Sequence, residues 1–336
     1  MTPSQNPHLF GHTETLQRLL KAFAEQRLHH SLLLVGPEGV GKETLAYHLI
    51  RTILKDDAKI AAHSHPNLLL IQPVFDEKKQ KFKRDITLDA LAGLSAFLHM
   101  APTNDAPRFV LVNPADGMNT QTQNALLKVL EEPPANTYFL LLATQTAAML
   151  PTIRSRCLIV PLTPLNEKDF TDAVFRLLPQ LDADTVATYY TMAEGVVGRA
   201  LRFESEGLLG HYERLCQTVW EWVEEGDSVP AMHFAESMSG ADMQDTTDGL
   251  VNLFLQRLAS FIRHRARNEN APFLADSEEQ VFTRWSAISP QKLLQDFERL
   301  DYLWREGATA YLDRKVVLLS FLRVVAGMDR VKETVV

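Results

Sequence analysis

The stretch Leu32-Leu33-Leu34-Val35-Gly36-Pro37-Glu38-Gly39-Val40-Gly41-Lys42-Glu43 decides the fold. A short apolar run enters a glycine loop that ends in lysine, and a helical pattern follows over 41–54. Strand, glycine loop and helix form the context in which such a loop cradles phosphate. Gly36, Gly39 and Gly41 let the backbone curl so that successive N–H groups face one anion, and the helix N-terminus adds partial positive charge. Lys42 would reach the terminal phosphates of ATP or ADP. The residue after that lysine is ordinarily Ser or Thr, whose hydroxyl ligates Mg²⁺; here it is Glu43. Thr44 does not replace it, because one helical step turns a side chain by about 100°. The loop is built to hold a nucleotide and poorly equipped to hydrolyse one. A glycine-rich strand-to-helix turn that binds nothing is the competing reading.

Outward from this loop, apolar runs recur at 68–71, 109–112, 138–143 and 158–160. Each is short and apolar on both faces, as expected of parallel strands covered by helices on two sides. Helical patterns lie between them at 14–25, 88–100 and 121–132, the last ended by Pro133-Pro134. The alternation predicts an α/β nucleotide-binding core, with its parallel sheet, over residues 1–164. Beyond Pro164 the strand-like runs cease. Helical patterns at 166–178, 183–193 and 198–206 predict a small helical lid over 165–206. Those at 212–225, 243–267, 278–286, 290–306 and 314–328 predict an all-α C-terminal collar over 207–336.

The 336 residues carry 34 Lys and Arg against 42 Asp and Glu, a net charge of −8. That balance argues against coating nucleic acid unaided. No run approaches the roughly 20 apolar residues of a membrane span, and the start lacks signal-peptide character. Two cysteines, Cys157 and Cys216, exclude a disulfide framework and fit the cytoplasm.

Hydrolysis by a phosphate-loop enzyme also needs carboxylates at the end of a neighbouring strand. The run at 109–112 ends instead in Asn113-Pro114, and Asp116 lies further along in a different direction. A second catalytic position is therefore empty.

Three ordered blocks carry a family resemblance: Asn124-Ala-Leu-Leu-Lys-Val-Leu-Glu-Glu-Pro-Pro134, Leu142-Ala-Thr144, and Leu150-Pro-Thr-Ile-Arg-Ser-Arg-Cys157. With Gly11-His12 and Leu28-His-His30 upstream, the chain resembles the clamp-loader ATPases of the AAA+ class over its first 200 residues. The disrupted nucleotide site is similar to the delta-prime type rather than to the gamma/tau motor type of DNA polymerase III. The resemblance implies that Arg156 is an arginine finger reaching a neighbouring subunit's ATP site. It implies a sensor role for Thr144 at a strand end. Gly195-Val-Val-Gly198-Arg199-Ala200 is similar to the second sensor segment, where Arg199 would touch nucleotide; a helix start with a surface charge fits equally.

The family often carries a four-cysteine zinc module after the loop helix. Residues 51–67 hold only His63 and His65 as soft ligands, so no zinc or other metal is expected. The basic run Lys78–Arg84, with Phe82 inside it, reads as a solvated loop, with phosphate contact as the sharper alternative. Arg263, Arg265 and Arg267 end a helix, where cations favour the dipole. The resulting expectation is a delta-prime-type subunit that joins gamma/tau and delta subunits to load the sliding clamp on primed DNA. It would supply Arg156 in trans and not hydrolyse ATP itself. An active gamma/tau-like motor and a non-replicative scaffold are the alternatives.

Overall fold

The computed structural model describes residues 2–73, 75–76, 81–82, 85–100, 106–271, 273–309 and 312–328. Five parallel strands form the main sheet: β1 (Ser31–Val35), β2 (Leu68–Ile71), β5 (Arg108–Val112), β6 (Thr137–Ala143) and β7 (Leu158–Pro161). Between β2 and β5 lies a separate antiparallel pair, β3 (Phe75–Asp76) and β4 (Lys81–Phe82). The sheet order is β2-β5-β6-β1-β7, with Leu33 of β1 opposite Leu141 on one side and Ile159 on the other.

Period-two alternation explains how this sheet holds helices on both faces. On one face Leu32, Leu34, Phe109, Leu111, Leu140 and Leu142 share a core with helices α1 (Thr13–Ala24) and α2 (Lys42–Leu54). On the other, Leu33, Val110, Val112, Phe139 and Leu141 meet α4 (Ala92–His99), α5 (Thr120–Glu131) and α6 (Pro151–Arg154). Each fully buried Leu or Phe contributes roughly 1.5–3 kcal/mol, so the two cores make the central strands the least dispensable part of the unit. A short helix, α3 (Asp57–Ala61), follows α2. The side chain of Asn119 starts α5 by accepting from Thr122 N at 2.9 Å.

Beyond residue 166 the described residues form a run of helices: α7 (Glu167–Leu177), α8 (Ala183–Ala193), α9 (Val197–Ser205), α10 (Leu208–Glu225), α11 (Val229–Ser237), α12 (Gln244–Ala266) and α13 (Asp276–Arg284). Two more, α14 (Pro290–Thr309) and α15 (Arg314–Gly327), complete it. The chain groups into two compact units, Met1–Leu181 with Ala193–Arg199, and Asp182–Met192 with Ala200–Val336. The segment 165–206, expected as a lid, is shared between these units. No helix among the described residues is long and apolar enough to cross a membrane.

The second unit is all-helical among the described residues. Its core is built on Phe254, whose ring lies 5.7 Å from Phe321, 6.1 Å from Phe282 and 6.3 Å from Trp285. Beside it sits a fully buried carboxylate, Glu278. It accepts from Arg257 Nε at 2.8 Å and Nη2 at 3.3 Å, from the Tyr212 hydroxyl at 2.6 Å and from Leu274 N at 2.6 Å. Arg265, near the end of α12, donates to the carbonyls of Trp285 and Ile288, so this expected helix-end cation is structural.

Candidate functional site

The C-terminal ends of adjacent parallel strands converge on one rim, where open α/β sheets place ligands. Gly36 follows β1, Asn113 follows β5, Thr144 follows β6 and Leu162 follows β7. Gly36 N donates to Ala143 O at 3.2 Å, and Leu162 N donates to Val35 O at 2.7 Å. A Cβ on Gly36 would stand 2.4 Å from Leu162 O, so only glycine lets the loop leave the sheet here. Gly39 has φ +81° and a Cβ there would stand 2.9 Å from Gly198 Cα. Gly41 is the N-cap of α2.

Gly198 N donates to Gly39 O at 2.9 Å, so the segment 195–199 lies directly on the loop. Arg199 is thereby brought beside Gly39, while its guanidinium sits 3.6 Å from the Glu194 carboxylate. His12 braces the loop from the other side, its Nε2 lying 2.9 Å from Val40 O. Burial pushes the His12 imidazole below its ordinary value, opposed by that carbonyl and by Asp169. His12 stood in the sequence only as part of an upstream block; a contact across 28 residues has no local signal.

Lys42 is buried and folds back on the loop, donating to Gly36 O at 2.7 Å and Pro37 O at 2.9 Å. Burial lowers its pKa, while Asp116 and Glu38 raise it. The ammonium thus has acceptors within the loop itself, and a phosphate would have to replace them.

The two residues that depart from a hydrolysing site meet in space. Asn113 Nδ2 donates to Glu43 Oε2 at 3.0 Å, joining the position of the missing hydroxyl to the position of the missing carboxylate. Burial raises the Glu43 pKa, and the Asn113 bond opposes the shift. The loop's glycines fit a phosphate, but Glu43 and Asn113 do not fit the Mg²⁺ that hydrolysis requires: a carboxylate already bound to an amide replaces hydroxyl and carboxylate ligands. Asp116 comes nearer than its direction along the chain indicated, since it is the leading charge acting to keep Lys42 protonated. Its Oδ2 is engaged, accepting from Thr144 N at 2.7 Å and from the Thr144 hydroxyl. Thr144 therefore stands at the rim, hydrogen-bonded to Asp116.

Arg156 lies elsewhere. It precedes β7, whereas the loop packs on Leu162, which follows that strand. Four strand residues at about 3.3 Å each separate the two ends by roughly 13 Å. Its Nη1 donates to Thr152 O at 3.0 Å and Ser155 Oγ at 3.3 Å, and its Nη2 lies 2.7 Å from Glu131 Oε1. The site residues thus divide: Gly36, Gly39, Gly41, Lys42, Thr144 and Arg199 share one rim, and Arg156 does not join them. The basic run Lys78–Arg84 falls outside the described residues apart from the backbone of 81–82. Among the described residues no group of three His, Cys, Asp or Glu is placed to hold a metal ion.

Residues 11–166 match the family described as DNA polymerase III, delta subunit. The delta-prime subunit of Pseudomonas aeruginosa is 27% identical over 64% of this chain and 67% of its own length. That of Escherichia coli is 27% identical over 63% and 65%, and that of Haemophilus influenzae 31% identical over 45% and 48%. The chain thus spans about half to two thirds of the length of these curated relatives. Residues 11–166, a little under half of the chain, are thus similar to the DNA polymerase III delta-subunit family, and the relatives named here are delta-prime subunits.

Proposed function

We propose that this chain is a clamp-loader subunit that assembles with gamma/tau and delta subunits. It helps place the sliding clamp on primed DNA, gives Arg156 to a neighbour's ATP site and does not hydrolyse ATP itself. The observation that carries the reading is the 3.0 Å bond between Asn113 and Glu43, which ties up both positions from which Mg²⁺ and water would be managed. The position of Arg156 supports the rest. It stands at the end of β7 remote from its own loop, so any phosphate it contacts belongs to another subunit. A guanidinium suits that task because its planar fork matches phosphate oxygens.

Nucleotide in this chain's own loop belongs to the same proposal. The loop would take the phosphates of ATP or ADP through backbone N–H groups and Lys42, without a divalent ion. Cytoplasmic placement follows from a role on chromosomal DNA.

The test is ATP turnover, with clamp and primed DNA, by the complex reconstituted from this chain and the gamma/tau and delta subunits of its organism. The expected result is no turnover by the chain alone and a loss of at least tenfold on Arg156→Ala within an assembled complex. Turnover by the purified chain would favour a motor, with Asp116 beside Lys42 as the candidate carboxylate. Failure to assemble would favour a scaffold outside replication.

A further inference from the structure

Resting on the finger reading above, we infer that Glu131 is a positioning residue for Arg156, holding its guanidinium in the orientation it presents to a neighbouring subunit. Three contacts define the geometry. Nη1 is engaged by Thr152 O and Ser155 Oγ, both from the turn that carries Arg156. Nη2 is held at 2.7 Å by the Glu131 carboxylate, from a different element, the last turn of α5. Nε has no acceptor among the described residues, so its N–H remains to donate to a phosphoryl oxygen.

The sequence supplies an independent argument. Glu131 and Glu132 sit at the C-terminal end of α5, where the helix dipole disfavours negative charge. Nothing in the helix itself calls for a carboxylate there. Arg156 provides the reason, since its cation offsets the unfavourable dipole and is itself fixed against rotation. The turn contacts alone leave the long side chain pinned from one side. The cross-link to α5 ties it to a helix that packs on the sheet through Leu126 and Leu130. The catalytic contact remains that of Arg156; Glu131 acts only through it.

The experiment compares wild type, Glu131→Gln, Arg156→Ala and the double variant in the reconstituted complex, measuring kcat and KM for ATP. Glu131→Gln keeps the side chain's size and removes its charge. It is expected to lower kcat about three- to fivefold, the range that a half-exposed charge pair supports, with KM for ATP within twofold. Size-exclusion chromatography is expected to give unchanged incorporation of the subunit, separating positioning from a loss of assembly. The double variant is expected to match Arg156→Ala alone, because Glu131 has no effect once its client is absent. If Arg156→Ala is costly while Glu131→Gln is within experimental scatter of wild type, or faster, the positioning role is wrong and the finger stands. If the two losses multiply, Glu131 acts elsewhere. If Arg156→Ala changes nothing, the finger reading itself fails.

Discussion

Removing the Glu278 carboxylate tests what holds the helical unit together. Four donors converge on it from Arg257, Tyr212 and Leu274, matching the four lone-pair directions a carboxylate offers. Glu278→Ala leaves the Arg257 guanidinium, 5% exposed, without this carboxylate. Breaking a buried pair in that way costs roughly 3–5 kcal/mol. The Tyr212 hydroxyl and Leu274 N–H each add about 1 kcal/mol of lost hydrogen bonding, for a total of roughly 5–7 kcal/mol. The assay is built into the chain. All four tryptophans, Trp220, Trp222, Trp285 and Trp304, lie beyond residue 200, so tryptophan fluorescence follows this unit alone. With a urea slope of about 2 kcal/mol per molar for a unit of this size, the midpoint should fall by roughly 2.5–3.5 M. Replacing both charges, as Arg257→Met with Glu278→Leu, should recover most of the loss, since two apolar groups strand no charge. A midpoint shift below about 0.5 M for Glu278→Ala, or a double variant as weak as the single, would refute the reasoning.

Other consequences are equally direct. Gly39→Ala sets a Cβ against Gly198 in a backbone conformation that only glycine enters freely; it should cost about 1–3 kcal/mol and release the Gly198 amide to hydrogen exchange. Because burial depresses the His12 pKa, its neutral form is favoured by folding. That contribution is complete above the ordinary value of 6.5 and is lost as pH falls below it. His12→Gln should therefore flatten the acid side of a stability profile, and parallel profiles would exclude the role. Burial pushes the Cys157 thiol up to about 12 and that of Cys216 higher still. Neither should react with a disulfide reagent at pH 8 until the chain is unfolded. Labelling of the native protein would contradict this.

What the sequence disclosed, and what it withheld, follows one physical division. The five apolar runs became the five strands with ends within a residue, because a contiguous apolar run is local information; β7 departs from the expected burial on both faces, with Leu158 and Ile159 exposed. The loop from Gly36 to Lys42 was legible for the same reason: its chemistry is contiguous. Helix α11 lies in the interval between the expected helices 212–225 and 243–267, although Ser228 and Pro230 are start signals for it. The pairs that define the site were beyond local reading. Asn113 and Glu43 are 70 residues apart, and nothing in either neighbourhood names the other. Glu131 and Arg156 sit within two separate contiguous motifs, and only the return of α5 along the sheet brings them together.

The strand β7 carries one more consequence. Among the described residues it pairs only with β1, so its outer row of backbone N–H and C=O groups is left as a template for another strand. Leu158 and Ile159 add 46% and 43% exposed apolar surface along it. Only its four-residue length and Pro161, which lacks an N–H, blunt that template. The issue this raises is one of supply: a cell that makes this chain in excess of whatever covers β7 accumulates sticky edges, so balanced synthesis would matter as much as correct folding.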